Sequence, residues 1–200
     1  MCFNATASLV SFITGILVAV AVGIVALQKQ YVSLALLAFG WIWVIAMQWW
    51  EFMVWRQWQT EVASRMAYVF NMMQIPVLFL LFSLVPNLPP APRMVASVIV
   101  AAYLCIMLYP LPSEEIEVRH GHLDYSWWKS RVRIIAYFVG LISIFLLLVR
   151  PWAWSVACIL SLMILCVLSR LLYHSENVAS LWCFFAVFFP LWALLLRWYL

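Results

Sequence analysis

The chain has 200 residues, of which 68% are hydrophobic and 9% charged, with a formal net charge of +4. A soluble domain carries about 25% charged residues and roughly half apolar ones, so this composition excludes one and points to an integral membrane protein whose first partner is the lipid bilayer. The charge is too small and too scattered for nucleic-acid binding, and the five Cys form neither a CxxC pair nor a metal-finger spacing.

A helix that crosses a bilayer needs about 20 mainly apolar residues, because every backbone polar group must be satisfied internally. In chain order, the apolar runs fall approximately at 5–27, 31–55, 62–84, 94–109, 132–149, 152–172 and 178–199. The first lacks a basic leader and is too long for a signal peptide, so it reads as a span. The third carries Pro76 and the fourth is short. The expected fold is an all-α seven-transmembrane-helix bundle, a single domain over 1–200.

Seven spans put the two termini on opposite sides of the membrane. One side then holds Lys29, Arg93, Arg150 and Arg197 and no acidic residue. The other holds the N-terminus, the remaining basic residues and all seven acidic ones. Counting only Lys and Arg favours the second side as cytoplasmic, whereas the short, purely basic loops favour the first. The basic loops are the cleaner signal, and they place the C-terminus in the cytoplasm.

The loop between the fourth and fifth runs alternates apolar and polar residues from Ile116 to Tyr125, around His120-Gly121. That is the pattern of a β-hairpin, with Gly able to take the positive φ of the turn; an irregular interfacial loop is the alternative. A hairpin pairs Val118 with Leu123 and Ile116 with Tyr125 on an apolar face that would lie on the bundle as a lid. Arg119 then opposes His122, and Glu117 opposes Asp124.

Glu51 is the sharpest single feature, an acidic residue about one turn inside the second run. Ionisable groups at that depth are costly and face the bundle interior. Gln48 shares its face at i,i+3, and Asn71 and Gln74 do the same in the third run, so the four residues outline a polar lane into the bundle. The reading without function is hydrogen-bond glue between helices. Arg133, Arg170 and His174 gather at the same end, where either arginine would serve as counter-ion to Glu51, or would simply snorkel to the interface. Trp182 and Cys183 open the seventh run there. His120, His122, Asp124 and Cys2 invite a metal, although neither HExxH nor a Cys pair is present. A retinal Schiff base is excluded, because Lys29 and Lys129 both lie in loops. The opposite half of the bundle lacks the continuous polar lining a pore requires, so a pocket open only to the N-terminal side is expected. We expect Glu51, Trp182, Cys183 and at least one of His122 or Asp124 to line it together.

The opening Met1-Cys2-Phe3-Asn4-Ala5-Thr6-Ala7-Ser8, together with Gln48–Trp55, Gly121–Tyr125 and Ser180–Phe185, resembles a family of small bacterial and giant-virus membrane proteins of unknown function. Asn4 and Phe52 stand where that family usually has Ser and Gly. The resemblance implies no activity and no cofactor; it implies that the four motifs belong to one end of one bundle. Three functions fit these residues. The first is binding of a small molecule or ion, as a sensor or a component of a membrane-protein complex. The second is an intramembrane lipid hydrolase, metal-dependent in one version. The third is a structural membrane subunit.

Overall fold

A computed structural model describes residues 4–109, 115–119, 122–172 and 178–199, apart from the side chains of Arg119, His122, Cys166, Ser169, Arg170, Leu172 and 178–185. These residues form helices α1 (Ala5–Gln28), α2 (Val32–Trp55), α3 (Thr60–Met72), α4 (Gln74–Ser83), α5 (Pro90–Leu108), α6 (Arg131–Leu148), α7 (Trp152–Leu172) and α8 (Val178–Tyr199). Between α5 and α6 lie strands β1 (Ile116–Arg119) and β2 (His122–Tyr125) and a 3-10 turn at Ser126–Lys129. Among the described residues four helices, α1, α2, α5 and α6, are long and apolar enough to cross a membrane, and α3 with α4 makes a further bent pair. Shorter apolar stretches are Trp152–Leu165 and Ala186–Tyr199.

Two expected runs differ from the helices that form. The third is not one helix, because its halves meet at Met73 with a bend of 41°. Pro76 is the cause: it has no amide hydrogen for the carbonyl four residues earlier, and its ring crowds that carbonyl. The orphaned acceptor is Met72 O, which instead receives the Tyr103 hydroxyl of α5 at 2.9 Å. Pro190 within α8 creates the same vacancy at Ala186 O, and there Trp41 Nε1 of α2 donates at 2.7 Å. The fourth run begins earlier than expected, at Pro90, because proline is well suited to a first helical turn, where no amide bond is required.

Helix α1 packs chiefly on α2 and then on α8. Its buried face is Ser8, Ser11, Gly15, Ala19, Val22, Gly23 and Ala26, a nearly continuous row of small residues that lets two backbones approach closely. A Cβ on Gly15 would lie 2.8 Å from Ile45. Val10, Ile13, Leu17 and Ile24 on the opposite face are exposed, as expected of a surface turned to lipid. The turns that end α1 and α2 are alike. Tyr31 N bonds Ala26 O and Gln30 N bonds Leu27 O; Trp58 N bonds Met53 O and Gln57 N bonds Val54 O. Both are Schellman closures, with Gln30 (φ 57°) and Gln57 (φ 55°) in the left-handed region that glycine usually fills.

Antiparallel β1 and β2 pair Ile116 with Tyr125, Glu117 with Asp124, Val118 with Leu123 and Arg119 with His122, the register that the alternation implies. Ile116, Leu123 and Tyr125 are buried, but Val118 is 49% exposed, so the apolar face is covered on three of its four positions.

Candidate functional site

The hairpin lies where α2 ends and α3 and α6 begin. Ile116 N donates to Ser64 Oγ of α3 at 3.4 Å. Trp127 is fully buried between the rings of Tyr68 (5.4 Å) and Tyr125 (5.1 Å), and Trp128 stands edge-on to Tyr137 of α6. Tyr68 in turn donates to the Met107 carbonyl near the end of α5 at 3.0 Å. Four helices and the hairpin therefore meet around one set of aromatic side chains.

Beneath this cover Glu51 has no exposed surface. Tyr125 Oη of β2 donates to its Oε1 at 2.5 Å. Gln48, one turn along α2, is buried as well. Arg133, in the first turn of α6, is 8% exposed, and its amide is capped by Ser130 Oγ.

The amides do not continue this group as a single lane. The break at Met73 puts Asn71 and Gln74 on separate helices, so they no longer share a face. Asn71 Nδ2 turns to Met47 Sδ of α2 at 3.5 Å, while Gln74 Oε1 accepts from Tyr137 Oη of α6 at 2.6 Å. Asp124 also departs from expectation. Strand alternation sends Tyr125 inward and Asp124 to the other face, where Asp124 meets Lys129 Nζ at 3.0 Å with 31% of its side chain exposed. The hairpin residue that reaches Glu51 is thus the tyrosine next to the expected aspartate.

His122 takes its place in β2 opposite Arg119. Arg170 lies in α7, and Trp182 and Cys183 lie in α8; the side chains of these four residues fall outside the description, as do Cys2, His120 and His174 altogether. Among the described residues no group of three His, Cys, Asp or Glu comes together as a metal site. An open groove of about 570 Å³ runs beside the hairpin, lined by Thr60, Glu61, Ser64, Arg65, Glu115, Ile116 and Glu117. It contains none of the residues expected to form the pocket.

Chemically, the arrangement offers a buried carboxylate, one of whose partners is a hydroxyl on the hairpin. A cation or an N–H donor could take the place of that hydroxyl. No protein-family model, curated protein or solved structure matches the chain.

Proposed function

We propose that the chain is a seven-span membrane protein that binds a small ligand or ion at Glu51, in a chamber on the N-terminal side, with the hairpin as its lid. Its role would be that of a sensor or of a component in a membrane complex. The observation that carries this reading is the Tyr125–Glu51 bond. A carboxylate withdrawn from water is expensive, and this one is held by a mobile class of element, a two-stranded hairpin, rather than by a neighbouring span alone. A ligand that displaced the Tyr125 hydroxyl would change the hold on the hairpin, coupling occupancy to a surface change. The likeness to the bacterial and giant-virus family supports placing Cys2, His122, Asp124, Trp182 and Cys183 around the same end. On a seven-span reading the two termini lie on opposite sides, and the short, purely basic loops favour a cytoplasmic C-terminus.

The test is thermal unfolding of the purified full chain against a panel of monovalent and divalent cations and small amines. At least one should raise the wild-type midpoint with concentration, as binding to the native state requires, and should leave Glu51→Gln unmoved. A panel without effect, or an equal response in Glu51→Gln, would count against the proposal.

A structural subunit is the second reading, favoured by how many buried polar groups satisfy one another: Gln74 with Tyr137, Met72 with Tyr103, Ala186 with Trp41. On that reading Glu51→Gln and Tyr125→Phe lower stability and change no response to any additive.

A further inference from the structure

A row of aromatic rings runs along the outer flank of α1 and α2 and ends on a cation. Phe12 lies 5.6 Å from Trp49, Trp49 lies 5.5 Å from Phe52, and Phe52 lies 5.8 Å from Trp58, centroid to centroid. The Arg56 guanidinium stands 5.7 Å from the Trp58 ring. Trp49, Phe52 and Arg56 follow one another by one turn of helix at a time, so they share a face. Trp49 is 36% exposed and Trp58 51%, while Phe12 at the inner end packs against the core. Arg56 is exposed, and among the described residues no carboxylate lies within ion-pairing distance of it. Arg65 and Lys129, by contrast, are paired with Glu61 and Asp124.

We propose that this flank holds one phospholipid with an anionic headgroup, in the leaflet on the hairpin's side of the membrane. The phosphate would sit on Arg56, the glycerol ester region against Trp58, and an acyl chain along Phe52, Trp49 and Phe12. Interfacial aromatics ordinarily form a belt around a protein at headgroup level. Here the rings instead touch one another along the helix axis, as a chain-shaped occupant requires. From Trp49 to Arg56 the helix rises about 10 Å, which is most of the roughly 15 Å hydrocarbon depth of one leaflet. The Arg56 guanidinium lies over the Trp58 ring, and a guanidinium matches phosphate oxygens two at a time. An arginine with no carboxylate beside it among the described residues favours a net negative headgroup over a zwitterionic one, whose own ammonium offsets the attraction. The proposal rests on the membrane placement proposed above and is independent of ligand binding at Glu51.

The test uses the full chain reconstituted in equal parts phosphatidylglycerol and phosphatidylcholine, then extracted into mild detergent, with retained lipid counted by native mass spectrometry. The wild type should keep one phosphatidylglycerol in preference to phosphatidylcholine. Arg56→Gln, at an exposed position outside the core, should reduce that preference about fivefold, and Arg56→Lys should restore most of it. Trp58→Ala should lower retention of both lipids. Equal retention of the two lipids by the wild type, or an unchanged preference in Arg56→Gln, overturns the proposal. So does displacement of the lipid by soluble glycerol phosphate at comparable concentration, which would make Arg56 a headgroup-anion site only. Alkaline carbonate extraction of the same membranes reports separately on membrane placement. A chain that stays in the membrane yet shows no lipid preference defeats this inference alone.

Discussion

Tyr103 occupies, with its hydroxyl, the acceptor at Met72 that Pro76 leaves open in the bend between α3 and α4. Removing the hydroxyl strands a buried carbonyl, which costs about 1–3 kcal/mol. Tyr103→Phe should therefore destabilise the protein by that amount in a reversible unfolding titration. In a Pro76→Ala background the amide at position 76 is available to Met72 again, and the cost of Tyr103→Phe should fall by about 1 kcal/mol or more, a coupling that a double-mutant cycle measures directly. An undiminished cost would show that the tyrosine acts through packing instead.

Tyr125→Phe should loosen the hairpin without disturbing the helices. Hydrogen bonds to charged groups contribute about 1.5–3 kcal/mol, and the loss here falls on a two-stranded element that has little stability of its own. Limited trypsin digestion should cut between 115 and 129 several times faster than in the wild type, while helical content measured by circular dichroism is unchanged. Equal cleavage rates would mean that Ile116, Leu123 and Trp127 hold the hairpin unaided.

Gly15→Ala places a methyl group 2.8 Å from the Ile45 side chain. Since Ile45 is β-branched and only 1% exposed, it has little room to yield, and overpacking of this kind costs about 1–3 kcal/mol. Ile45→Ala in the same chain should recover part of that loss. Thermal midpoints of the two single variants and the double variant decide the matter: additive losses would rule out a direct clash.

The two Schellman turns make an opposite prediction. Gln57→Gly should raise stability by up to about 1 kcal/mol, because the left-handed conformation is unfavourable for a residue with a Cβ. The flexibility that glycine adds to the unfolded chain offsets part of the gain. A lowered midpoint would mean that the Gln57 side chain makes a compensating contact.

The proposed seven spans would require the two ends of the chain to report from opposite sides of the membrane. Reporter fusions or single-cysteine labelling near residues 4 and 199 should give opposite accessibility in sealed vesicles, with the C-terminal position cytoplasmic. Two ends on one side would remove a crossing, and the bent α3–α4 pair is where it would be lost.

The helices were legible wherever apolar run length settles the question, as in α1, α2 and α6. The division of the third run was less so: Pro76 marks a bend, but the carbonyl it frees is met by Tyr103, a residue that no pattern within α3 or α4 points to. The hairpin register followed from period-two alternation over 116–125. That same alternation turns Tyr125 inward with the apolar face and Asp124 outward, but nothing in the pattern shows that the tyrosine hydroxyl reaches Glu51. Gln74 and Asn71 illustrate the complementary limit. Their spacing was correct for one helix face, and a break between them sent the two side chains to different neighbours. The row of small residues on α1 was visible at helical spacing throughout; which helix it would receive depends on Ile45 and Phe39 of α2, and so on tertiary packing.

The bond from Trp41 to the Ala186 carbonyl joins positions 145 residues apart, and this separation bears on how the protein is made. Trp41 enters the membrane early in translation, while its acceptor does not exist until the ribosome has passed residue 186. The segment of α8 before Pro190 must then find an indole that has been in the bilayer throughout. Assembly therefore closes between segments made at very different times. A chain stalled or cut before α8 leaves Trp41 without this acceptor, the kind of unmatched polar group inside a membrane that marks a protein as unfinished.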